Sequence, residues 1–209
     1  MNRLLAFILI IPMLFVNIAY AETCSVADYN ANYWNIDATR KNSNNCYNYA
    51  FNTANNTFAI PGYGKYGQFV CPDDCCFTQN NGISSLALGD MWLMSGLRKI
   101  SPNENCPVNH TKVMSAVHPS QPLQPWYDAH WYRQDSNGIW SHKAGYTEAT
   151  DRVIPPNANN PNPTFIGTNV EQAANELGYT EHHQFYCYCG RNTQGGSVAP
   201  IDGKGPPNP

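Results

Sequence analysis

Alternating polar and apolar positions predict a β-hairpin over residues 128–143. Its first half alternates and is rich in aromatic side chains, a Ser-Asn-Gly turn follows, and the second half resumes with an apolar pair. His130 opens the first predicted strand and His142 closes the second, so antiparallel pairing brings the two imidazoles side by side. Two facing histidines suggest a base and the residue that orients it.

The pattern around the hairpin predicts an α+β fold. Asn44 or Asn45 can cap a short helix that begins near Cys46 and packs on a small antiparallel sheet. The strands of that sheet are expected at about 112–118, 129–134 and 138–143. The first of them is apolar on both faces, which is typical of a central strand.

Two more helices and a closing strand are predicted outside this core. Residues 83–98 carry a helical stripe of leucines, and residues 167–179 form a short helix capped by Thr168 or Asn169. The strand over residues 182–190 then closes the domain, and its cysteines tie it down.

The first 21 residues have the features of a secretory signal peptide. Arg3 supplies a basic start, an apolar run extends to Ile18, and Ala-Tyr-Ala forms a small-residue cleavage site. Pro12 interrupts the apolar run, which is also short for a membrane span. We therefore expect residues 1–21 to be removed and the protein to be secreted or periplasmic.

The rest of the chain has the length of one domain. We expect a single domain over residues 22–189 and a flexible Gly/Pro-rich tail over residues 190–209. The net charge of the full chain is −3 and no basic patch is present, which excludes nucleic acid as a partner. The absence of a second long apolar run predicts no membrane span after signal cleavage. The oligomeric state is unknown from the sequence.

Eight cysteines follow the predicted cleavage site, and disulfides are their default state in an exported protein. They are Cys24, Cys46, Cys71, Cys75, Cys76, Cys106, Cys187 and Cys189. The last two lie two residues apart on a predicted strand, so they point the same way and pair with other partners. The close spacing of Cys71, Cys75 and Cys76 predicts a disulfide-stapled loop, and we expect no metal and no cofactor.

The sequence allows two interpretations of Cys46. In the first turn of a helix it lies at the positive end of the helix dipole, next to main-chain N–H groups that are not used inside the helix. Such a setting favours the thiolate and can stabilise the oxyanion of an acyl intermediate. The alternative is that Cys46 is one more half-cystine.

The order of these residues resembles the papain-like clan, and most closely its NlpC/P60 branch of cell-wall peptidases. In that branch a cysteine at a helix start is followed by a strand histidine and by a second histidine about a dozen residues later. Cys46, His130 and His142 repeat that order, and the matched region covers about residues 44–145. The motifs NCYxYA and HWYRxDxxGxWSHK also resemble a group of exported proteins.

The resemblance implies a papain-like fold and a role for each residue. Cys46 would attack a carbonyl carbon, His130 would move the thiol proton, and His142 would orient His130. The neighbouring aromatic residues are the predicted substrate contacts. They are Trp131, Trp140 and Tyr47.

Three functions follow from these observations. The first is a secreted cysteine hydrolase, an amidase or peptidase with a peptide or cell-wall substrate. The second is an acyltransferase or transglutaminase-like enzyme on the same fold. The third is a non-enzymatic, disulfide-rich binding or matrix protein, for which Cys46 would be part of a disulfide. Its contact surface would be formed by aromatic side chains in and just before the hairpin, namely Trp126, Tyr127, Trp131, Tyr132 and Trp140.

Overall fold

The protein is described by a computed structural model. The described residues are 24–56, 58–59, 97–119, 129–154 and 163–190. The predicted signal peptide, the cysteine-rich loop and residues 191–209 of the predicted tail lie outside them. So do residues 83–96 of the predicted leucine helix.

Three short helices open the described chain, and one more follows later. They are α1 (Ala31–Asn35), α2 (Ala38–Ser43), α3 (Cys46–Ala50) and α4 (Val170–Glu176). Asn45 caps α3 and Asn169 caps α4, each through its side-chain oxygen. The predictions of these two helices are confirmed, whereas α1 and α2 were missed because their few residues show no apolar period. None of the described helices is long and apolar enough to cross a membrane.

Eight strands are present in the described residues. They are β1 (Arg98–Ile100), β2 (Thr111–Val117), β3 (Ala129–Gln134), β4 (Trp140–Lys143), β5 (Ala149–Thr150), β6 (Arg152–Val153), β7 (Thr164–Phe165) and β8 (Glu181–Tyr188). Six form one antiparallel sheet in the order β1-β8-β2-β3-β4-β5, and β6 pairs with β7. The α+β class with a small antiparallel sheet is therefore confirmed.

The predicted core strands and hairpin are confirmed, with shifts of one or two residues at their ends. In the hairpin, Tyr132 pairs with His142 and Gln134 with Trp140. The central position of β2 is also confirmed, because it pairs with β3 on one side and β8 on the other. The helix predicted over residues 83–98 is wrong at its end, where Arg98 begins a strand.

The two faces of the sheet are covered by different elements. On one face, Tyr47 and Phe51 from the α3 region pack with Trp131 of β3. On the other face, Val170 and Ala174 of α4 pack with a cluster that includes Tyr132 of β3. Because side chains alternate along a strand, neighbouring residues of the hairpin enter different cores.

Two disulfides lie among the described residues. Cys24 pairs with Cys189, and Cys106 pairs with Cys187. The prediction that Cys187 and Cys189 pair with other partners is therefore confirmed. The first bond joins residues that are 165 positions apart, so it closes the described domain end to end.

Candidate functional site

The local sequence around Cys46 forms a complete helix cap. The Asn45 side chain accepts hydrogen bonds from the main-chain N–H groups of Tyr47 and Asn48, and the Asn48 side chain accepts one from the Asn45 N–H. This cap makes Cys46 the first residue of α3. The structure describes Cys46 as a thiol, with Sγ donating to the carbonyl oxygen of Ala129 at 3.8 Å. The thiol therefore lies at the start of β3, beside the residue that precedes His130.

The hairpin brings His130 and His142 into direct contact. His130 Nε2 lies 2.7 Å from His142 Nδ1, and both side chains are buried. His142 pairs with Tyr132 across the ladder, so His130 is its diagonal neighbour. The predicted proximity of the two imidazoles is thus confirmed.

The hydrogen bonds of the pair assign its protons. His142 Nε2 lies 2.9 Å from the Arg152 carbonyl oxygen, which can only accept, so this nitrogen carries hydrogen. In neutral His142 the other nitrogen, Nδ1, is then an acceptor, and His130 Nε2–H donates to it. Neutral His130 consequently keeps its lone pair on Nδ1, which is the arrangement of an oriented base.

Burial keeps both imidazoles neutral. Desolvation is the main reason why the pKa of His130 lies well below its usual value, and electrostatic repulsion from His142 adds a smaller decrease. Desolvation also lowers the pKa of His142, although its hydrogen bond to the Arg152 carbonyl opposes the shift. The two rings therefore share one hydrogen bond without a charge at neutral pH.

Tyr132 and Tyr179 enclose the imidazoles. The Tyr132 ring stacks on His142 and meets His130 edge to face, and Tyr179 stacks on His130. The Tyr132 hydroxyl is buried without a hydrogen-bond partner. Desolvation, with a smaller contribution from nearby Cys46, raises its pKa. We call His130, His142 and Tyr132 the histidine cluster.

The other face of the hairpin holds a buried polar group that we call the Arg133 network: Arg133, Asp135, Ser141 and Tyr49. Arg133 Nε donates to Asp135 Oδ1 at 2.8 Å, and its Nη1 donates to the main-chain oxygen of Tyr49 at 3.0 Å. The Ser141 hydroxyl donates to Asp135, and the Tyr49 hydroxyl lies 2.7 Å from Ser141 Oγ. The network joins α3 to both strands of the hairpin.

Asp135 begins the hairpin turn, where its carbonyl oxygen accepts a hydrogen bond from the Gly138 N–H at 2.8 Å, and its side chain has a second, buried role. Its side chain is only 2% exposed, and it forms the carboxylate half of an ion pair with Arg133. Desolvation raises the pKa of Asp135, while Arg133 and the Ser141 hydrogen bond act against the increase. The signal that could have revealed this pair is a charged Arg-x-Asp sequence inside an otherwise aromatic strand.

Lys143 makes a second link between the hairpin and the Cys46 helix. Its ammonium donates to the main-chain oxygens of Asn44 and Gly145, and the side chain is fully buried. Desolvation lowers the pKa of Lys143 to about 8, although nearby Cys46 opposes the shift. Sequence reasoning missed this residue, because nothing in the pattern separates it from a surface lysine.

The predicted substrate-contact residues lie in the core. Trp131, Trp140 and Tyr47 are 1%, 3% and 1% exposed. Each packs against other buried aromatic or aliphatic side chains, so their positions give no support to a role in substrate contact. Trp126 and Tyr127, which completed the predicted aromatic surface, lie outside the described residues.

Sequence reasoning also missed a second cluster, which lies where the Cys24–Cys189 disulfide joins the two ends of the described domain. Cys24, His110 and Cys189 place their sulfur and imidazole nitrogen atoms within 4.8 Å of one another, and no other set among the described residues meets this spacing for a metal site. The two sulfurs form a disulfide with each other, so neither is the thiolate through which cysteine binds a metal. Sequence patterns do not reveal the trio, because its members are far apart along the chain.

Comparison with known proteins identifies a relative. The chain is 37% identical to insoluble matrix shell protein 1 of Ruditapes philippinarum over 131 residues, which is 62% of this chain and 73% of that protein. No family model and no solved structure matches the chain.

This relative corrects the predicted function. The expectation of a secreted cysteine hydrolase with a peptide or cell-wall substrate is wrong, since the similarity is to a shell matrix protein. The relative and the two disulfides confirm that the protein is secreted. At this identity and coverage, the chain belongs to the family of insoluble matrix shell protein 1.

Proposed function

We propose that the protein is a non-enzymatic structural component of a secreted extracellular matrix. The observation that carries the proposal is the similarity to a shell matrix protein over 73% of that protein's length. In this role the domain is a rigid building block, and its surface rather than a cleft makes the functional contacts.

The interior of the domain supports this proposal. Charged residues such as Arg133 and Lys143 are buried and hydrogen-bonded to main-chain oxygens of other elements. A disulfide closes the ends of the described chain and a second one joins the loop before β2 to β8. These links restrict local opening, which suits a protein that must persist outside the cell.

Sequential extraction of the native matrix tests the proposal. A specific antibody would follow the protein through extraction with salt, a chelator and a detergent, each without reductant. We expect the protein to remain in the insoluble residue. Its recovery in the soluble culture or body fluid, with none in the residue, would contradict a matrix role.

We infer a second candidate function from the contact between His130 and His142. The site would catalyse acyl transfer on a papain-like arrangement, with Cys46 as nucleophile, His130 as base and His142 as the orienting residue. Cys46 would form a thioester with a carbonyl group of one matrix chain, and an amine of another chain would take the acyl group and release the thiol. The assigned lone pair on His130 Nδ1 favours this chemistry.

A pair of variants separates the two candidates. Cys46→Ala and His130→Ala would be secreted and compared with wild type for incorporation into the insoluble residue. A passive matrix component is incorporated equally well in all three forms. Loss of incorporation in both variants, with unchanged thermal stability and with a normal His182→Ala control, would favour acyl transfer.

A further inference from the structure

We propose that the Cys24–Cys189 disulfide is an exchangeable bond through which the protein becomes covalently attached to thiol-bearing chains, with His110 as the proton carrier. The identity of the partner as a matrix chain rests on the proposed function. The exchange chemistry rests only on the geometry of the trio, so the two can be tested apart.

The position of His110 is the first support. Its Nδ1 lies 3.0 Å from the carbonyl oxygen of Val108, which can only accept, so Nδ1 carries the hydrogen. The unprotonated Nε2 therefore faces the disulfide, 3.8 Å from Cys24 Sγ. Cys189 Sγ lies within 4.8 Å of the same nitrogen. One imidazole nitrogen can thus serve both the attacked and the departing sulfur.

The other described disulfide provides the contrast. Cys187 is 1% exposed and belongs to the apolar cluster that contains Met114 and Phe185. Cys106 is partly exposed, as Cys24 is, but it packs against this apolar cluster. Within the described residues, no imidazole is grouped with this pair as His110 is with the first. An apolar setting disfavours the thiolates that exchange requires, so this bond should be inert.

The fold is held together beside the exchangeable bond by other contacts. The Ser25 N–H donates to the Gly190 carbonyl at 2.8 Å, and the Ala27 N–H donates to Thr111 Oγ1 at 3.2 Å. A Cβ at position 190 would lie 2.5 Å from the Ser25 carbonyl oxygen, so the close approach of the two segments requires glycine there. Breaking the disulfide therefore leaves the segments paired.

The exchange is balanced without an oxidant or reductant. Cys24 Sγ is attacked because Cys24 is partly exposed whereas Cys189 is 9% exposed. His110 Nε2 takes the proton of the incoming thiol, and the new bond forms between that sulfur and Cys24 Sγ. The bond between Cys24 and Cys189 breaks, and Cys189 leaves as a thiolate that receives the proton from His110. The products are a mixed disulfide at Cys24 and a thiol at Cys189.

Glutathione is a suitable probe for this reaction. The full-length secreted protein would be incubated with reduced glutathione in the presence of a chelator, since full reduction of the pair would offer two thiolates and an imidazole to zinc. Samples would be quenched with acid, alkylated and mapped by mass spectrometry. We expect glutathione on Cys24 before any change at Cys106 or Cys187.

Variants of His110 separate proton transfer from loosening of the fold. His110→Gln should slow glutathione addition at Cys24 roughly tenfold or more, while the rate at Cys106 stays unchanged in the same molecules. Added imidazole should restore part of the rate in His110→Ala. Equal rates in wild type and variants, or first reaction at Cys106, would overturn the proposal.

A last comparison separates this proposal from the matrix function. If the native protein stays in the matrix residue until a reductant is added, both hold. If glutathione exchange at Cys24 is observed but the native protein is never found in the matrix, the exchange chemistry stands and the matrix partner does not. If the matrix protein is released only by proteolysis and Cys24 does not exchange, the disulfide proposal alone fails.

Discussion

The two faces of the hairpin bury polar groups in opposite states, charged on one face and neutral on the other. In the Arg133 network, a full positive and a full negative charge are buried together, and each is hydrogen-bonded. In the histidine cluster, two titratable rings are kept neutral and one hydroxyl has no partner. The members that the hairpin supplies to the two sets alternate along the chain, so a shift of one position in register would exchange their faces.

This difference indicates that the Arg133 network serves the structure, whereas the histidine cluster is free to take part in chemistry. Paired charges with several hydrogen bonds fix the position of α3 on the hairpin, because removal of either charged partner leaves a buried charge uncompensated. Neutral imidazoles with depressed pKa and an unsatisfied hydroxyl are less costly to change. The Tyr132 hydroxyl, which has no partner, can also form a new hydrogen bond without breaking one that the fold uses.

The largest effect is expected from Arg133→Met. The substitution leaves the Asp135 carboxylate buried without its partner, and it removes the Nη1 donor to the Tyr49 carbonyl. We expect a loss of about 3–5 kcal/mol in the free energy of unfolding. Denaturant titration measures this loss, and Arg152→Met, at a side chain that is 56% exposed, serves as the matched control. A loss no larger than that of the control would show that the network is not a structural link.

Acidification should weaken the histidine cluster. Both imidazoles have a lower pKa in the folded state than the usual value of about 6.5, so below that pH the unfolded chain binds more protons. Stability is therefore fully present above pH about 6.5 and is lost as the pH falls, by up to about 1.4 kcal/mol per imidazole in the first unit.

Unfolding free energies measured between pH 5 and 7 check this expectation. The double variant His130→Gln with His142→Gln should show a shallower decrease than wild type. His182→Gln, at a partly exposed position on β8, should keep the wild-type slope. Equal slopes in all three proteins would mean that the buried pair does not control the acid response.

Tyr49→Phe should cost less than the loss of Arg133. The Tyr49 hydroxyl accepts from Arg133 Nη2 at 3.2 Å and lies 2.7 Å from Ser141 Oγ, and phenylalanine leaves both groups with one bond fewer. We expect a loss of about 1–3 kcal/mol in the free energy of unfolding. Tyr33→Phe keeps the ring that packs on Arg40 and is the matched control.

Tyr132→Phe should have the smallest effect on the free energy of unfolding. It tests most directly whether the two faces of the hairpin differ. The hydroxyl that it removes is buried and has no hydrogen-bond partner. Its loss should therefore leave stability unchanged or raise it slightly. A loss as large as that of Tyr49→Phe would show that the Tyr132 hydroxyl is satisfied in solution and that the two faces are alike.

Local patterns in the sequence were enough for the core elements. The caps at Asn45 and Asn169, the Ser-Asn-Gly turn and the alternation along β3 are short-range features, and each led to the correct element. Very short strands that depend on long-range pairing were missed. The strand β1 has three residues and exists because it pairs with β8, and β5 has two residues that pair with β4.

The candidate site also has one part that local sequence predicts and another that depends on long-range contacts. Turn geometry and strand period were sufficient to place His130 beside His142, because only twelve positions separate them. The identity of their neighbours was not predictable, since Tyr179 and the Arg152 carbonyl come from later parts of the chain. The function was misjudged for a related reason: an order of Cys and His residues is a local signal, whereas the relevant family became clear only by comparison of a long segment.

The sequence by itself determined the export signature, the α+β class and the contact between the two histidines, because each depends on composition or on residues near one another in the chain. The tertiary structure decided which charges are buried, which cysteines pair and which histidine faces a disulfide. Those features join residues such as Cys24 and Cys189, or Tyr49 and Arg133, that only the folded sheet brings together. Burial then sets their chemistry, since desolvation and a fixed partner act on a side chain only after the chain has folded.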